Sequence, residues 1–340
     1  MNIRKKFKKV LPISYFKMEC LFRELLNNNE KNQQELQGYF NILNEEIFNI
    51  SHRLDLLQNR QNELLALDIP NRTNIPFEKR FGEELSQELM SMRCDVSKIE
   101  HELCSLKDII KKDNSTFIKL QKENLWSAIF NNAINGCVWL TDQAFTPGRW
   151  AMGYPALYIL YRVLEQFNPQ HILELGLGQS TKMITQYAAQ NKTIEHFVVE
   201  HDNAWIDFFK KNNLVSSNTI IICLDRELVS FKDAEEVRVF KNFKSTFGLY
   251  KFDLIIIDAP LGGDMKKYSR IDVLSLIKAN LCEQFVMILD DVNRVAERNT
   301  MYEISRHLSQ ANIEYTQKIY EGEKETCIWT TPQWSFLCSL

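Results

Sequence analysis

Apolar residues recur along the first third of the chain at alternating spacings of three and four: Phe40, Leu43, Ile47, Ile50, Leu54, Leu57 and, past a polar Gln61, Leu64. A second run repeats the spacing at Leu85, Leu89, Met92, Val96, Ile99, Leu103, Leu106 and Ile110. That period lays one apolar stripe along each helix, the seam of a coiled coil. The intervening "LDIPNRTNIPFEKRFG" carries Pro70 and Pro76, which end a helix. The pattern predicts a basic tail over 1–20 and a coiled-coil assembly segment over 21–125, with two helical runs broken near 68–82. A hairpin folded on itself and two successive coiled coils in a parallel oligomer both satisfy it, and either makes this segment a spacer or an assembly element, with a homo-oligomer expected through the coiled coil.

After Trp126 the period changes. A Gly/Pro/aromatic loop, "TDQAFTPGRWAMGYP", leads into a helix over Ala156–Gln166, and short apolar runs then alternate with amphipathic ones. Strands are predicted at His171–Leu175, His196–Glu200, Thr219–Cys223, Asp253–Asp258 and Phe285–Asp290, and two more near Glu314–Tyr320 and Thr326–Thr330. Helices are predicted at Gln179–Gln190, Trp205–Asn212, Ile271–Ala279 and Ala296–Ala311. Alternating strand and helix imply a parallel sheet covered on both faces. The last two strands, joined by "EGEKE", read as an antiparallel pair at one edge. Residues 126–340 are therefore expected to form an α/β, Rossmann-like domain of seven strands.

Composition narrows the partners. The formal net charge of the 340 residues is -3, which argues against nucleic acid. The eight cysteines form no C-x-x-C pair, and Cys223 and Cys327 stand in apolar runs, so reduced core thiols are expected. No segment is long and apolar enough to span a bilayer. The basic start, with Arg4, Lys5, Lys6, Lys8 and Lys9, has its apolar run broken by Pro12 and does not read as a signal peptide. A cytoplasmic chain is expected. Its tail is either simply solvated or in weak contact with the inner, anionic face of a membrane.

The stretch "ILELGLGQST" carries the first candidate chemistry. Two glycines after an apolar strand let backbone approach a ligand closely. A dinucleotide fingerprint would place its third small residue at Thr181, which is neither Gly nor Ala. The start Glu174-Leu175-Gly176-Leu177-Gly178 instead suits S-adenosylmethionine, with Gln179, Ser180 and Thr181 completing the loop. Glu200, ending the second strand, can accept bonds from both ribose hydroxyls of either cofactor. Asp225, after the third strand, either reaches an adenine amino group or serves as a cap or solvated acid.

Asp258, Asp290 and Asp291 end the fourth and fifth strands and open into the same crevice. Together they could hold a divalent cation such as Mg through oxygen ligands, which would lower the pKa of an acceptor hydroxyl. Alternatively Asp258 acts as a general base without metal, or some of the acids only cap helices. Arg270 and Arg294 are the cations placed to hold an anionic acceptor, and Trp150 and Tyr154 could stack on a sugar ring. Trp205 reads as core packing.

Taken in order, "ELGLGQST", "VVEHDNAW", "IIIDAPLG", Arg270 and "LDDVNRVAE" resemble the glucuronoxylan 4-O-methyltransferase family of polysaccharide biosynthesis. The matching positions are Glu200, Asp202 and Trp205; Asp258, Ala259, Pro260 and Gly262 with Arg270; and Asp291, Val292, Arg294 and Glu297. The resemblance covers about 147–308. It implies an adenosylmethionine fold and methylation of a hydroxyl on a glycan bearing uronic acid. The chain departs where that family commonly has histidine before the D-V-x-R aspartate; Asp290 stands there, which is closer to metal-dependent catechol-type O-methyltransferases. The expected activity is S-adenosylmethionine-dependent O-methylation of a sugar or polysaccharide. Its rivals are an NAD-dependent sugar oxidoreductase and a non-catalytic coiled-coil scaffold.

Overall fold

The computed structural model describes residues 115–148 and 151–340, together with scattered helical positions between 45 and 101. The chain divides into two units, Met1–Lys111 and Lys112–Leu340. In the first, the described residues are helical, and the Arg53 guanidinium donates to Ser91 Oγ at 3.2 Å. The basic tail and most of the predicted seam lie outside the described residues.

Helix α1 of the second unit spans 115–134. Trp126, Ile129, Phe130, Ala133 and Ile134 repeat at three and four along it and pack into the core, with Phe130 and Ile134 fully covered. Helix α2, Tyr154–Arg162, follows and ends in a π-turn over Val163–Phe167.

Then come β1 (His171–Leu175), α3 (Gln179–Ala188), β2 (Glu195–Glu200), α4 (Asn203–Asn212), β3 (Thr219–Cys223), β4 (Arg226–Phe231) and β5 (Ala234–Phe240). They are followed by α5 (Phe243–Phe247), β6 (Phe252–Ile257), β7 (Leu281–Leu289), α6 (Val295–Gln310), β8 (Thr316–Glu321) and β9 (Glu325–Thr330). Seven strands form one sheet in the order β3-β2-β1-β6-β7-β9-β8. The first five in that order run parallel, and β9 is antiparallel to both β7 and β8. This is a Rossmann-like α/β sheet of seven strands. A separate hairpin, β4–β5, is inserted after β3.

The central strands are continuous apolar runs because both faces are buried. Ile172, Leu254, Ile256, Val286 and Ile288 face the layer of α1, α2 and α3. Leu173, Leu175, Ile255, Ile257, Met287 and Leu289 face the opposite core, where Met301, Ile304 and Leu308 of α6 join them. Each such side chain removed from water is worth roughly 1.5–3 kcal/mol.

The register sets the site. Leu175 pairs with Val199 on one side and Ile257 on the other, and Ile257 pairs with Leu289. The next residues, Gly176, Glu200, Asp258 and Asp290, therefore leave the sheet side by side along its carboxyl edge.

Two expectations are corrected, and one element is new. Ile271–Ala279 is not an α-helix but a 3-10 turn over Ile271–Ser275. The β4–β5 hairpin was not foreseen; its arms turn at Lys232, which takes a left-handed φ of 53°. Cys223 is exposed on the edge strand rather than in the core. Among the described residues no helix is long and apolar enough to cross a membrane.

Candidate active site

The glycine loop is built from inside outward. Glu174, wholly buried, gives one carboxylate oxygen to the Ser180 hydroxyl at the start of α3 and the other to His196 Nε2 at 3.0 Å. His196 Nδ1 lies 3.2 Å from Thr219 Oγ1, which donates to Thr185 Oγ1 at 3.0 Å. This polar chain ties β1, β2, β3 and α3 together beneath the loop. Glu174 and Ser180 therefore position the loop and do not line the crevice. Thr181 does likewise, accepting the Gly178 N–H at 2.9 Å and capping α3. Gln179 Oε1 accepts the Thr146 N–H at 3.1 Å, pinning the preceding loop.

The two glycines differ. Gly176 has φ 105°, and a Cβ there would stand 3.2 Å from the Ala259 Cβ and 3.5 Å from the Asp258 carbonyl carbon, so the loop presses against the end of β6. At Gly178 a Cβ would meet nothing within 4 Å. Bare backbone there faces open space at the crevice, where a ligand can lie against it.

Glu200 and Trp205 grip the residue between those glycines. Glu200 Oε2 accepts the Leu177 N–H at 3.3 Å, and the Trp205 indole donates to Leu177 O at 2.8 Å. Asp202 caps α4 through Ala204 N and Trp205 N, which aims the indole. The expectation that Trp205 is core is thus corrected: it is 41% exposed, stacks on Phe208 and clamps the loop. Glu200 Oε1 accepts from the His201 and Asp202 amides at 2.7 and 3.1 Å. Asp225, exposed, lines an open cleft of about 620 Å³ with His201, Arg226, Arg238 and Lys241.

The strand-end acids converge. Asp258, Asp290 and Asp291 offer ligand atoms that lie within 4.8 Å of one another. Arg270, 2% exposed, is locked among them: its Nη2 is 3.1 Å from Asp258 Oδ1 and 2.8 Å from Asp291 Oδ2, and its Nη1 donates to Asp290 O at 2.9 Å. Arg270 is therefore an internal counter-ion and does not face an acceptor, contrary to expectation. Arg294, partly exposed, reaches Asp291 Oδ2 at 3.0 Å and Glu297 Oε1 at 3.4 Å and keeps a face toward Gly263. Gly262 leaves the room that the Glu297 carboxylate and Ser269 occupy, which joins the D-A-P-x-G and D-V-x-R-x-x-E elements. Tyr154 packs on Phe130 with ring centroids 6.0 Å apart, so it belongs to the core and not to a sugar platform. Trp150 lies outside the described residues.

Sequence reasoning missed Lys324, whose ammonium stands 3.6 Å from Asp290 Oδ2 and 3.4 Å from Asp291 Oδ1. Only the antiparallel pairing reveals it. Leu289 opposite Cys327 brings the turn before Cys327 beside the acids after Leu289.

Each acid has its own electrostatic state. Burial drives Asp258 up to about 8, with the Asp290 and Asp291 charges adding to it and Arg270 and Lys324 opposing. Burial and Asp291 likewise raise Asp290. Burial also opposes ionisation of Asp291, but Arg270, Lys324 and Arg294 outweigh it and hold Asp291 below the usual carboxylate range. The arrangement supplies one carboxyl poised near neutrality beside a glycine loop, backed by fixed charges.

The triad does not fit a divalent cation as it stands. Its coordinating oxygens face Arg270 and Lys324, and a third positive ion would meet both at contact distance.

No protein-family model matches the chain, and no curated protein matches it. Solved structures are similar in fold at low identity. An O-methyltransferase from Bacillus cereus in complex with S-adenosylhomocysteine shares 14% identity, covering 62% of this chain and 99% of its own, with TM-score 0.39. The S-adenosylhomocysteine-bound Podospora anserina methyltransferase PaMTH1 shares 13%, covering 65% and 94%, with TM-score 0.34. The O-methyltransferase TomG from Streptomyces achromogenes, involved in tomaymycin synthesis and in complex with S-adenosylmethionine, shares 12%, covering 62% and 98%, with TM-score 0.37.

Proposed function

We propose that residues 112–340 form an S-adenosylmethionine-dependent O-methyltransferase acting on a hydroxyl of an anionic sugar or polysaccharide. One observation carries the reading: the open backbone at Gly178, the Glu200 carboxylate and Asp258 leave adjacent strand ends in one row. The antiparallel β9 between β7 and β8 favours this cofactor over NAD, whose six-stranded fold runs 3-2-1-4-5-6.

The ligand's methionyl part would lie against Gly178 and its ribose at Glu200. Bound there, it supplies an electrophilic methyl group on a sulfonium. Asp258 takes the proton of the acceptor hydroxyl as its oxygen attacks. Arg270, Lys324 and Arg294 hold Asp291 ionised, while burial raises Asp258 to about 8 and leaves it able to exchange a proton near neutrality. Arg294 offers the outward cation for a carboxylated or phosphorylated acceptor. The sugar class rests on the motif resemblance around Asp258, Arg270 and Asp291.

The helical runs of the first unit serve as an assembly element, making the working enzyme a homo-oligomer. Transfer of labelled methyl from S-adenosylmethionine to a panel of uronic-acid oligosaccharides, neutral oligosaccharides and catechols tests the function. Methylation of the acidic sugars alone supports it; methylation of catechols alone removes the sugar assignment.

A further inference from the structure

Three carboxylates at the ends of adjacent parallel strands would ordinarily attract a hard divalent cation. In this chain the position in front of them is held by a side chain. Asp290 Oδ2 and Asp291 Oδ1 are buried and have no hydrogen-bond partner, and both face the Lys324 ammonium at 3.6 and 3.4 Å. The other two oxygens are committed: Asp290 Oδ1 accepts from Thr326 Oγ1 at 2.7 Å, and Asp291 Oδ2 binds Arg270 at 2.8 Å and Arg294 at 3.0 Å.

The lysine is seated, not draped. Its Nζ donates to Ala151 O at 2.7 Å. Glu123 of α1 braces both segments that form the seat, accepting the Tyr154 N–H at 2.6 Å and the Glu323 N–H at 2.9 Å. Gly322 leaves space for that Glu123 carboxylate.

We propose that the Lys324 ammonium is the resident cation of the Asp258–Asp290–Asp291 triad, standing where a divalent metal would bind, so that the native chain takes no metal there. The proposal goes beyond the transferase reading and can fail without it, because its test reads metal binding and not turnover.

The test is titration of the full chain with Mn²⁺, followed by electron paramagnetic resonance of the free ion, for the native protein, Lys324→Ala and Lys324→Gln. Circular dichroism reports folding. The native chain should show no Mn²⁺ binding that Asp290→Asn removes. Either folded variant should bind at least about 100-fold more tightly, since a unit charge at contact distance has been withdrawn. Adding Asp290→Asn to that variant should abolish the gain. Native binding that Asp290→Asn removes would overturn the proposal, as would folded variants without a gain. Should neither variant fold, the native titration decides alone, with absence of the Asp290-dependent site supporting the proposal.

Discussion

Glu174 and His196 meet in the interior with Oε2 and Nε2 3.0 Å apart and neither side chain exposed. The pair makes the glycine loop a property of the fold. The same carboxylate anchors Ser180 and hence the start of α3. Glu174→Ala should therefore cost on the order of 3 kcal/mol of stability, because it leaves the imidazole and hydroxyl buried without their acceptor. Urea denaturation measures this. An unchanged midpoint would mean that the pair is not structural.

The two loop glycines should respond differently to alanine. Gly176→Ala puts a Cβ on a left-handed residue and against Ala259, and should destabilise by about 1–2 kcal/mol. Gly178→Ala, at an extended φ of -168° with open space around it, should leave stability within about 0.5 kcal/mol. Its methyl enters the ligand's space, so adenosylmethionine affinity should fall by about tenfold or more. Denaturation and calorimetry on both variants separate the two roles.

Much of the second unit was legible in the chain. The strands His171–Leu175 and Thr219–Cys223 match their predicted bounds, because each is a short apolar run set between polar residues. Glu200, Asp258 and Asp290 emerge at strand ends as their positions required. What the chain hid is tertiary. Arg270 and Lys324 are cations like any others in sequence, and only strand pairing puts them between acids. Glu174 reads as a ligand-facing carboxylate until His196, a polar residue inside an apolar strand, is seen as its partner. Trp205 sits at helical spacing that suggested core, yet its indole N–H faces the loop.

Transfer should depend on Asp258 in its ionised form. Burial holds the carboxyl near 8, so the base fraction grows as pH rises toward that value and saturates above it. The expected kcat/KM climbs about tenfold per pH unit below 8 and levels off above. Asp258→Asn should lower methyl transfer by about 100-fold or more, with cofactor affinity kept within about threefold. A flat profile between pH 6 and about 9 would rule out this base.

Asp272 predicts a stability effect away from the crevice. Its Oδ1 accepts the Phe240 N–H at 2.8 Å, its Oδ2 has no partner, and burial pushes its carboxyl up to about 7. The unfolded carboxyl titrates near about 4, so the native state binds more protons between these values. Its stabilising contribution is full below pH of about 4 and declines as pH rises through 7. Asp272→Asn keeps an acceptor for Phe240 and carries no charge. Its advantage over the native chain in urea should widen between pH 5 and about 8, reaching about 2 kcal/mol. A pH-independent difference would contradict the assignment.

The most direct measurement is calorimetric titration of the native chain with S-adenosylmethionine and S-adenosylhomocysteine, with NAD as control, repeated on Glu200→Ala. Glu200 joins the proposed ribose position to the loop through Leu177, so one substitution tests both. The account predicts saturable binding of both sulfur nucleosides with Kd of about 1–100 μM, weakened at least about tenfold by the substitution, and no binding of NAD. Failure of either nucleoside to bind the native chain, or saturation by NAD in their place, would contradict it.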